Sequence, residues 1–382
     1  MLAQLIRCLA LLAVLPLAAA PIPDAPFWQD VAVRLHHAPE LTNAIFKKLC
    51  VDKENVVYVL TDQGVARVFD DTLALDRSYR PLAGKVPLDI TISPEGDLYY
   101  LFEDRWLSNG KSGKPSGITV SKGAQKICVM PDGLVVLSTS GGVRLYSPEG
   151  QPRSGMFDLF IGVPKFTALG LNDFVAFDRF SLSHHTWSGG EMFVPGWRTK
   201  IQGITCFSQS AGEIVVGTTN GFTTLDAANG LTIVPLTTNL PSVNITSMIV
   251  SEGGVWFGTL QGAFFKFDHT LSRYATPAAP GIEPPRFRYY AGKRWLRDDH
   301  VVDLAVDHDG HLWVLTQTGL NKIEFRQTTL AAKADWFHRK SRRSPHFVQA
   351  MWPKVVTIMS SSLKPNRFRA ASRSFLEYAC GT

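Results

Sequence analysis

The stretch Gly254–Gly262, GVWFGTLQG, decides the fold of this chain because its pattern recurs along the sequence. An apolar run leads into Thr259, and Gly262 follows three residues later. The same arrangement occurs five times, at Thr61–Gly64, Thr139–Gly142, Thr218–Gly221, Thr259–Gly262 and Thr316–Gly319. The first two gaps between these glycines are about twice the third, so a period near 40 residues predicts one eroded copy inside each.

Both eroded copies can be found. Asp89–Phe102 has a strand, an acidic turn and a second strand but lacks the Thr-x-x-Gly pattern, and Thr167–Phe177 is a shorter remnant. These copies complete seven units between Ile45 and Phe325. The long gap before the last unit holds an insertion, rich in proline and aromatic residues, from Thr276 to Arg297.

The composition of each unit predicts strands. Short runs rich in Val, Phe, Trp and Thr, interrupted by Gly and Asp, are typical of antiparallel sheets. A strand-rich period near 40 predicts an all-β, seven-bladed β-propeller over residues 21–325, built from four-stranded blades. We expect Trp256 and Trp313 to pack between blades, and Phe27–Leu35 to add an outer strand to the last blade. The glycine turns lead into strands and not into helices, which argues against a phosphate-binding loop.

The repeat also resembles a known family. Val255–Gly262 with Phe267 and Asp268, and Leu312–Leu320, are similar to the two-component-regulator propeller repeat. That resemblance implies a propeller of the kind found in sensor ectodomains and secreted bacterial proteins. Arg288–Leu296 and Thr329–Phe337 resemble the junction in longer exported proteins, where such a propeller precedes a glycosidase-like domain.

The two ends of the chain differ from its middle. Residues 1–20 carry one charge, Arg7, an apolar core over Leu9–Leu17 and then three alanines, which predicts a signal peptide and a secreted or periplasmic protein without a transmembrane segment. Residues 326–382 are predicted to begin with a helix over Leu330–Arg339 and to be largely disordered beyond it, as a native tail or a truncated gene product.

Charge is unevenly distributed along the chain. Of the net charge of +6, residues 326–382 contribute +9 and the signal segment +1, so residues 21–325 are net negative. Nucleic acid is therefore not an expected partner of the propeller.

Neither a catalytic nor a metal site is predicted, and no cofactor is expected. Cys50, Cys128 and Cys206 are 78 residues apart and are expected to be buried and unpaired at one shared inner-strand position. Acidic residues recur at predicted turns, where they favour turn hydrogen bonds. Asp307–Gly310 resembles the start of a calcium loop, yet no bidentate Glu follows at the required spacing.

The insertion supplies the candidate ligand site. Pro285–Arg297 carries five cations and four aromatic residues in thirteen positions, a combination that suits an acidic polysaccharide. The candidate binding residues are Arg286, Arg288, Tyr290, Lys293, Arg294 and Trp295. In the alternative interpretation this segment is an outer blade strand whose aromatic side chains pack inward while its arginines face water.

These observations favour an exported, monomeric, non-catalytic binding propeller, with a glycan, another anionic polymer or a protein as its partner. One alternative is a lactonase- or lyase-like enzyme with a divalent metal in the central channel. That enzyme would need acidic or amide side chains from several blades at the axis, whereas the acids of this sequence lie mainly at repeated turns. A second alternative is the front part of a glycosidase-like protein.

Overall fold

The computed structural model describes residues 24, 26–77, 85–108, 118–119, 123–139, 142–153, 165–168, 173–178, 180–187, 193–210, 212–267 and 287–343. The predicted signal peptide, the first half of the insertion and residues 344–382 lie outside these ranges.

The described strands form seven antiparallel sheets, which we number as blades in chain order. From the inner strand outward, blade 1 has β3 (Phe46–Val51), β4 (Val57–Thr61), β5 (Val65–Phe69) and β6 (Thr72–Leu75), with the short β2 (His36–His37) parallel to β6. Blade 2 has β7 (Asp89–Ile92), β8 (Leu98–Leu101), β9 (Arg105–Ser108) and β10 (Ile118–Thr119); blade 3 has β11 (Ala124–Val129), β12 (Val135–Thr139), β13 (Gly142–Tyr146) and β14 (Pro152–Arg153).

The remaining blades follow the same order. Blade 4 has β15 (Lys165–Ala168), β16 (Asp173–Phe177), β17 (Ser181–Trp187) and β18 (Phe193–Lys200); blade 5 has β19 (Ile204–Ser210), β20 (Glu213–Thr218), β21 (Gly221–Asp226) and β22 (Thr232–Thr237). Blade 6 has β23 (Ile245–Ser251), β24 (Gly254–Thr259), β25 (Gly262–Phe267) and β26 (Phe287–Tyr290); blade 7 has β27 (Val301–Val306), β28 (Leu312–Thr316), β29 (Gly319–Thr328) and β1 (Phe27–Arg34). A 3-10 helix, Pro39–Leu41, precedes β3.

Blade 7 closes the ring. Its outer strand, β1, comes from the beginning of the chain and lies beside β29, so blade 7 joins both ends of the propeller. Its inner strand, β27, contacts β3 of blade 1. The seven-bladed propeller and the outer strand expected from Phe27–Leu35 are therefore confirmed.

The repeated threonine stabilises the hairpin between the second and third strands. In five blades its hydroxyl is buried and donates a hydrogen bond to the carbonyl oxygen of the motif glycine, for example Thr259 Oγ1 to Gly262 at 2.7 Å. In blade 4 Asp178 takes this position, and its Oδ1 accepts the backbone N–H groups of Phe180 and Ser181, each at 2.8 Å. The eroded copy therefore keeps the turn with a different side chain.

Apolar side chains from adjacent blades form the core. Trp256 of blade 6 packs with Leu304 and Leu312 of blade 7, and Trp313 of blade 7 packs with Leu49 of blade 1. Both tryptophans fill space between blades, as the sequence predicts, because alternate side chains of each strand face the neighbouring sheet.

The helix predicted after the propeller is also present. α1 spans Leu330–Arg343. Near its beginning, the backbone N–H of Ala331 donates to Asp24 Oδ1 at 3.0 Å, and Lys333 lies over the ring of Phe27. Within the described residues, no helix is both long enough and apolar enough to span a membrane.

Candidate functional site

One residue of each inner strand occupies the same ladder position, and these seven residues form what we call the axial ring. Each pairs with a residue on the second strand of its own blade. That partner comes directly before the turn threonine, or before the residue that stands in the place of the threonine. In blade order the ring is Lys48, Asp89, Lys126, Lys165, Cys206, Ser247 and Asp303. In blades 1, 3, 5, 6 and 7 a β-bulge directly precedes the ring residue, a feature that often redirects a side chain.

All seven ring residues line one cavity of about 330 Å³. Because every blade contributes one of them, the cavity lies on the axis of the propeller. Five of the seven are charged, although inner strands of a propeller are otherwise mainly apolar. This central cavity is the strongest candidate for a functional site among the described residues.

Asp89 connects the inner strands of three blades. Its side chain is 1% exposed. Oδ1 accepts a hydrogen bond from Lys48 Nζ of blade 1 at 3.0 Å, and Oδ2 accepts one from the backbone N–H of Ile127 in blade 3 at 3.1 Å. Lys126 Nζ lies farther away, 3.8 Å from Oδ1.

Asp303, in blade 7, makes the equivalent connection on the other side of blade 1. Its Oδ2 accepts the backbone N–H of Leu49 in blade 1 at 2.9 Å, and its Oδ1 accepts the hydroxyl of Ser247 in blade 6 at 2.7 Å and the N–H of Leu304 at 2.9 Å. Burial raises the pKa of Asp303, and these hydrogen bonds partly oppose that rise. Both axial aspartates are thus occupied by donors of the protein itself.

The three axial lysines have different surroundings. Burial disfavours the charge of Lys48, but Asp89, together with Cys50 and Asp303, outweighs burial and raises the pKa of Lys48. Burial, with Lys48 and Lys165 as positive neighbours, lowers the pKa of Lys126 despite the opposing effect of Asp89. Lys165 is exposed, and its Nζ donates to the carbonyl oxygen of Thr205 at 3.1 Å.

The side of the ring formed by blades 5 and 6 is uncharged. Ser247 and Cys206 lie there, and burial raises the pKa of the Cys206 thiol to about 12. Thr205 and Thr246 also line this side of the cavity. The cavity therefore presents ammonium groups on one side and small polar groups on the other.

Cys206 does not occupy the position predicted for it. Cys50 pairs with Tyr58 and Cys128 with Val136, but Cys206 pairs with Gly217, at the ring position. The equal spacing misleads because register is set by each hairpin turn, and the turn from Ser210 to Glu213 is shorter than those of the blades that hold Cys50 and Cys128. No disulfide joins the three cysteines, as expected, but Cys128 and Cys206 are only partly buried.

The residues predicted to bind ligand are divided between the packed interior and the surface. Arg286 lies outside the described residues. Arg288 and Tyr290, on β26, both contact Asp30 of β1: Arg288 Nη1 is 3.3 Å from Oδ1, and the Tyr290 hydroxyl donates to Oδ2 at 2.9 Å. Tyr290 is 1% exposed. These two side chains therefore connect the outer strands of blades 6 and 7.

The other members of that predicted site follow β26. Trp295 is half-buried and packs edge-on against Tyr290 with ring centres 5.0 Å apart. Lys293 and Arg294 are exposed, and the Arg294 guanidinium lies 5.0 Å from the centre of the Trp295 ring. A role of this segment in ligand binding stays a prediction.

The acidic residues at the turns act as expected. Asp52 Oδ1 accepts the backbone N–H of Val56 at 2.8 Å. Asp307 Oδ1 accepts the N–H of His311 at 2.8 Å, and its Oδ2 accepts the indole N–H of Trp313 at 2.9 Å. In the part of the chain that the structure describes, no three or more His, Cys, Asp or Glu side chains come together as metal ligands would.

Comparison with known proteins supports the family resemblance at the level of the repeat. Residues 296–318 match the model of the two component regulator propeller. This segment includes β27 and β28, so the repeat of that family is present in blade 7. Among curated proteins, no sequence matches the chain.

Many solved structures share the fold, among them the following three. The first, described as the extracellular domain of a one component system from B. thetaiotaomicron, has a TM-score of 0.58 and 11% identity, covering 77% of this chain and 40% of that one. The extracellular domain of a hybrid two component system from the same organism has a TM-score of 0.56 and 13% identity, covering 78% and 42%. A catalytically inactive virginiamycin B lyase from Staphylococcus aureus, crystallised with quinupristin, has a TM-score of 0.55 and 9% identity, covering 78% and 99%.

These neighbours establish the propeller fold and no more, since their identity is low. The chain spans about two fifths of the length of the two extracellular domains.

Proposed function

We propose that this protein is an exported, non-catalytic binding module that holds an acidic group of a glycan in the centre of its ring. The observation that carries the proposal is the axial ring, in which three lysines from three blades face one cavity of about 330 Å³. The proposed export rests on the signal pattern of residues 1–20. The choice of an acidic glycan as the ligand rests on the charges of the cavity.

The charge balance favours an anionic ligand. Asp89 and Asp303 already accept hydrogen bonds from backbone and side-chain donors, so the protein compensates their charges itself. Protein acceptors hold the ammonium groups of Lys126 and Lys165 less tightly than that of Lys48, and Lys47 adds a further ammonium group to the lining of the cavity. A carboxylate or sulfate group can therefore form charge-assisted hydrogen bonds with these lysines.

The size and the neutral side of the cavity favour a sugar. The volume lies at the small end of ligand sites, which suits one or two sugar rings. Ser247, Thr205 and Thr246 line the neighbouring side of the cavity. Their hydroxyl groups already donate to protein acceptors, so their oxygens can accept hydrogen bonds from sugar hydroxyls. A longer acidic polymer would extend from the cavity over the surface, where Lys293 and Arg294 are exposed.

The same arrangement makes a metal-dependent lyase or lactonase less favourable. Such an enzyme needs carboxylates with lone pairs available to a cation, whereas the two axial aspartates are held by protein donors and bordered by ammonium groups. Binding is therefore the function that this geometry supports best.

Calorimetry with short oligogalacturonates tests the proposal. The wild type should bind them, and affinity should fall as salt rises because the contacts are ionic. The double variant K126M/K165M should lose affinity by about tenfold or more, since each charged hydrogen bond typically contributes about 1.5 to 3 kcal/mol. K200M, at an exposed lysine of blade 4, is the matched control and should bind like the wild type.

Two outcomes would contradict the central site. Equal affinity of K126M/K165M and the wild type would exclude the axial lysines as the anion-binding groups. Loss of binding in K293M/R294M with full binding in K126M/K165M would place the ligand on the segment after β26.

A further inference from the structure

The axial lysines differ in how firmly each amine is held. Lys48 Nζ donates to Asp89 at 3.0 Å, and Lys165 Nζ donates to the Thr205 carbonyl oxygen at 3.1 Å. Lys126 Nζ is 3.8 Å from Asp89 Oδ1, longer than a hydrogen bond, because Lys48 and the Ile127 N–H already occupy that carboxylate. Lys126 therefore has the amine that a ligand can engage most easily.

The surroundings of Lys126 weaken its preference for the charged form, because burial and two neighbouring lysines lower its pKa. The charged groups that act on it are Asp89, Lys48, Lys165 and Asp303, and the two lysines together with burial lower its pKa. A lower pKa increases the share of free amine, and only the free amine has the lone pair that a nucleophile donates. The side chain is 41% exposed towards the cavity, so a small molecule can reach it.

We propose that Lys126 captures small carbonyl acids, meaning aldehydes or ketones that carry a carboxylate, as a reversible imine in the axial cavity. The proposal rests on the proposed function in one respect: Lys165 holds the carboxylate, as it would hold that of an acidic glycan. A uronic acid at a reducing end is one such compound, because it combines a carboxylate with a masked aldehyde.

The chemistry balances without an oxidant or a reductant. The Lys126 Nζ lone pair attacks the carbonyl carbon, a C–N bond forms, and the C=O π electrons move to the oxygen, which takes up a proton. The resulting carbinolamine loses that oxygen as water and leaves a C=N bond, so one amine and one carbonyl give one imine and one water. Asp89 Oδ1, 3.8 Å away, is the nearest carboxylate oxygen that can accept the proton leaving the nitrogen.

Reductive trapping tests the proposal on the full-length protein. Glyoxylate is added together with cyanoborohydride, whose hydride reduces an imine to a stable secondary amine, and the product is analysed by intact mass and peptide mapping. We expect one adduct, located on Lys126. The adduct should be lost in K126M and retained in K200M, whose substituted lysine is exposed on blade 4.

Further measurements keep the test independent of folding and of the proposed function. Thermal unfolding shows whether K126M is folded, and K165M, which keeps Lys126, should form the same adduct but need more glyoxylate. No adduct above the K126M level, or adducts spread over exposed lysines, would overturn the inference. If oligogalacturonate binding persists without trapping, only the imine is wrong; if both are absent, the anion site itself is wrong.

Discussion

Gly262, the last residue of the stretch that reveals the repeat, is required by both its backbone and its surroundings. Its φ is 115°, in the region that favours glycine, and an added Cβ would lie 2.5 Å from the carbonyl oxygen of Tyr290. G262A should therefore combine backbone strain with a clash against β26. We expect the free energy of unfolding to fall by about 3 kcal/mol, measured by urea denaturation.

Gly292 is the matched control for that substitution. Its φ of 72° also favours glycine, but nothing lies within 4 Å of an added Cβ. G292A should cost only the backbone term, about 1 kcal/mol. Equal losses of stability in the two variants would show that the close contact between position 262 and β26 does not affect stability.

His185 provides a pH-dependent contribution to stability. Burial, together with the positive charges of His184 and Arg198, lowers the pKa of His185 to about 4, whereas the ordinary value is 6.5. Between these values the unfolded chain binds more protons than the folded one. The contribution of the neutral His185 to the free energy of unfolding is therefore complete above pH 6.5 and is lost as the pH falls towards 4. At pH 5 the loss amounts to about 1 to 2 kcal/mol.

The variant H185Q tests this linkage. It removes the titrating ring while keeping a polar group near Ser183, whose hydroxyl lies 3.0 Å from His185 Nε2. Denaturation between pH 7 and pH 5 should show a smaller loss of stability in H185Q than in the wild type. H36Q, at an exposed position, should follow the wild type, and identical slopes for all three proteins would refute the assignment.

The inner strands are held together by the axial aspartates as well as by apolar packing. Removing Asp89 would leave the Lys48 ammonium and the Ile127 N–H without the acceptor they share. We expect D89A to lower the free energy of unfolding by about 2 to 4 kcal/mol, because one partner of a buried charged pair is lost. Urea denaturation at neutral pH is the measurement.

Asp104 offers the contrasting case. Its carboxylate pairs with Arg105 at 2.6 Å, but the side chain is 57% exposed, so water can replace the lost partner. D104A should therefore leave stability unchanged within error. A D89A variant as stable as D104A would show that Asp89 does not stabilise the ring.

The strands could be predicted from the sequence because each hairpin repeats one local rule. A buried threonine hydroxyl and a glycine define the turn, and where Asp178 replaces the threonine the strands on both sides still identify the blade. The axial ring could not be predicted in the same way. Aligning the inner strands by residue spacing misplaced Cys206, because bulges and turns of different length shift the register.

The candidate site after β26 shows a second limit of sequence interpretation. Its cations and aromatic residues are evident from composition, but composition does not tell which of them face the protein. Arg288 and Tyr290 contact Asp30, a residue about 260 positions away that reaches them only because the ring closes. Lys293 and Arg294 face solvent, as a surface site would require.

At the scale of the whole molecule, the axial cavity is asymmetric although the blades are similar. The charged ring residues come from blades 7, 1, 2, 3 and 4, which are consecutive around the ring, and the uncharged ones from blades 5 and 6. A bound acid would therefore direct its carboxylate to one side of the cavity and its neutral groups to the other. This orientation of the bound acid would come from the different residues that the blades place in the axial ring, while the strands of the blades stay alike.

Ring closure depends on β1, since blade 7 has only three strands without it. A chain that begins at His36 would expose the edge of β29 and remove Asp30, the partner of Arg288 and Tyr290. An uncovered strand edge also invites pairing between molecules. We expect this truncation to unfold at a clearly lower temperature and to aggregate.

Deletion of residues 330–382 should leave the unfolding temperature nearly unchanged, because most described side chains of α1 are exposed. Calorimetry of both truncations decides the matter, and equal unfolding temperatures would show that the ring holds without its first strand.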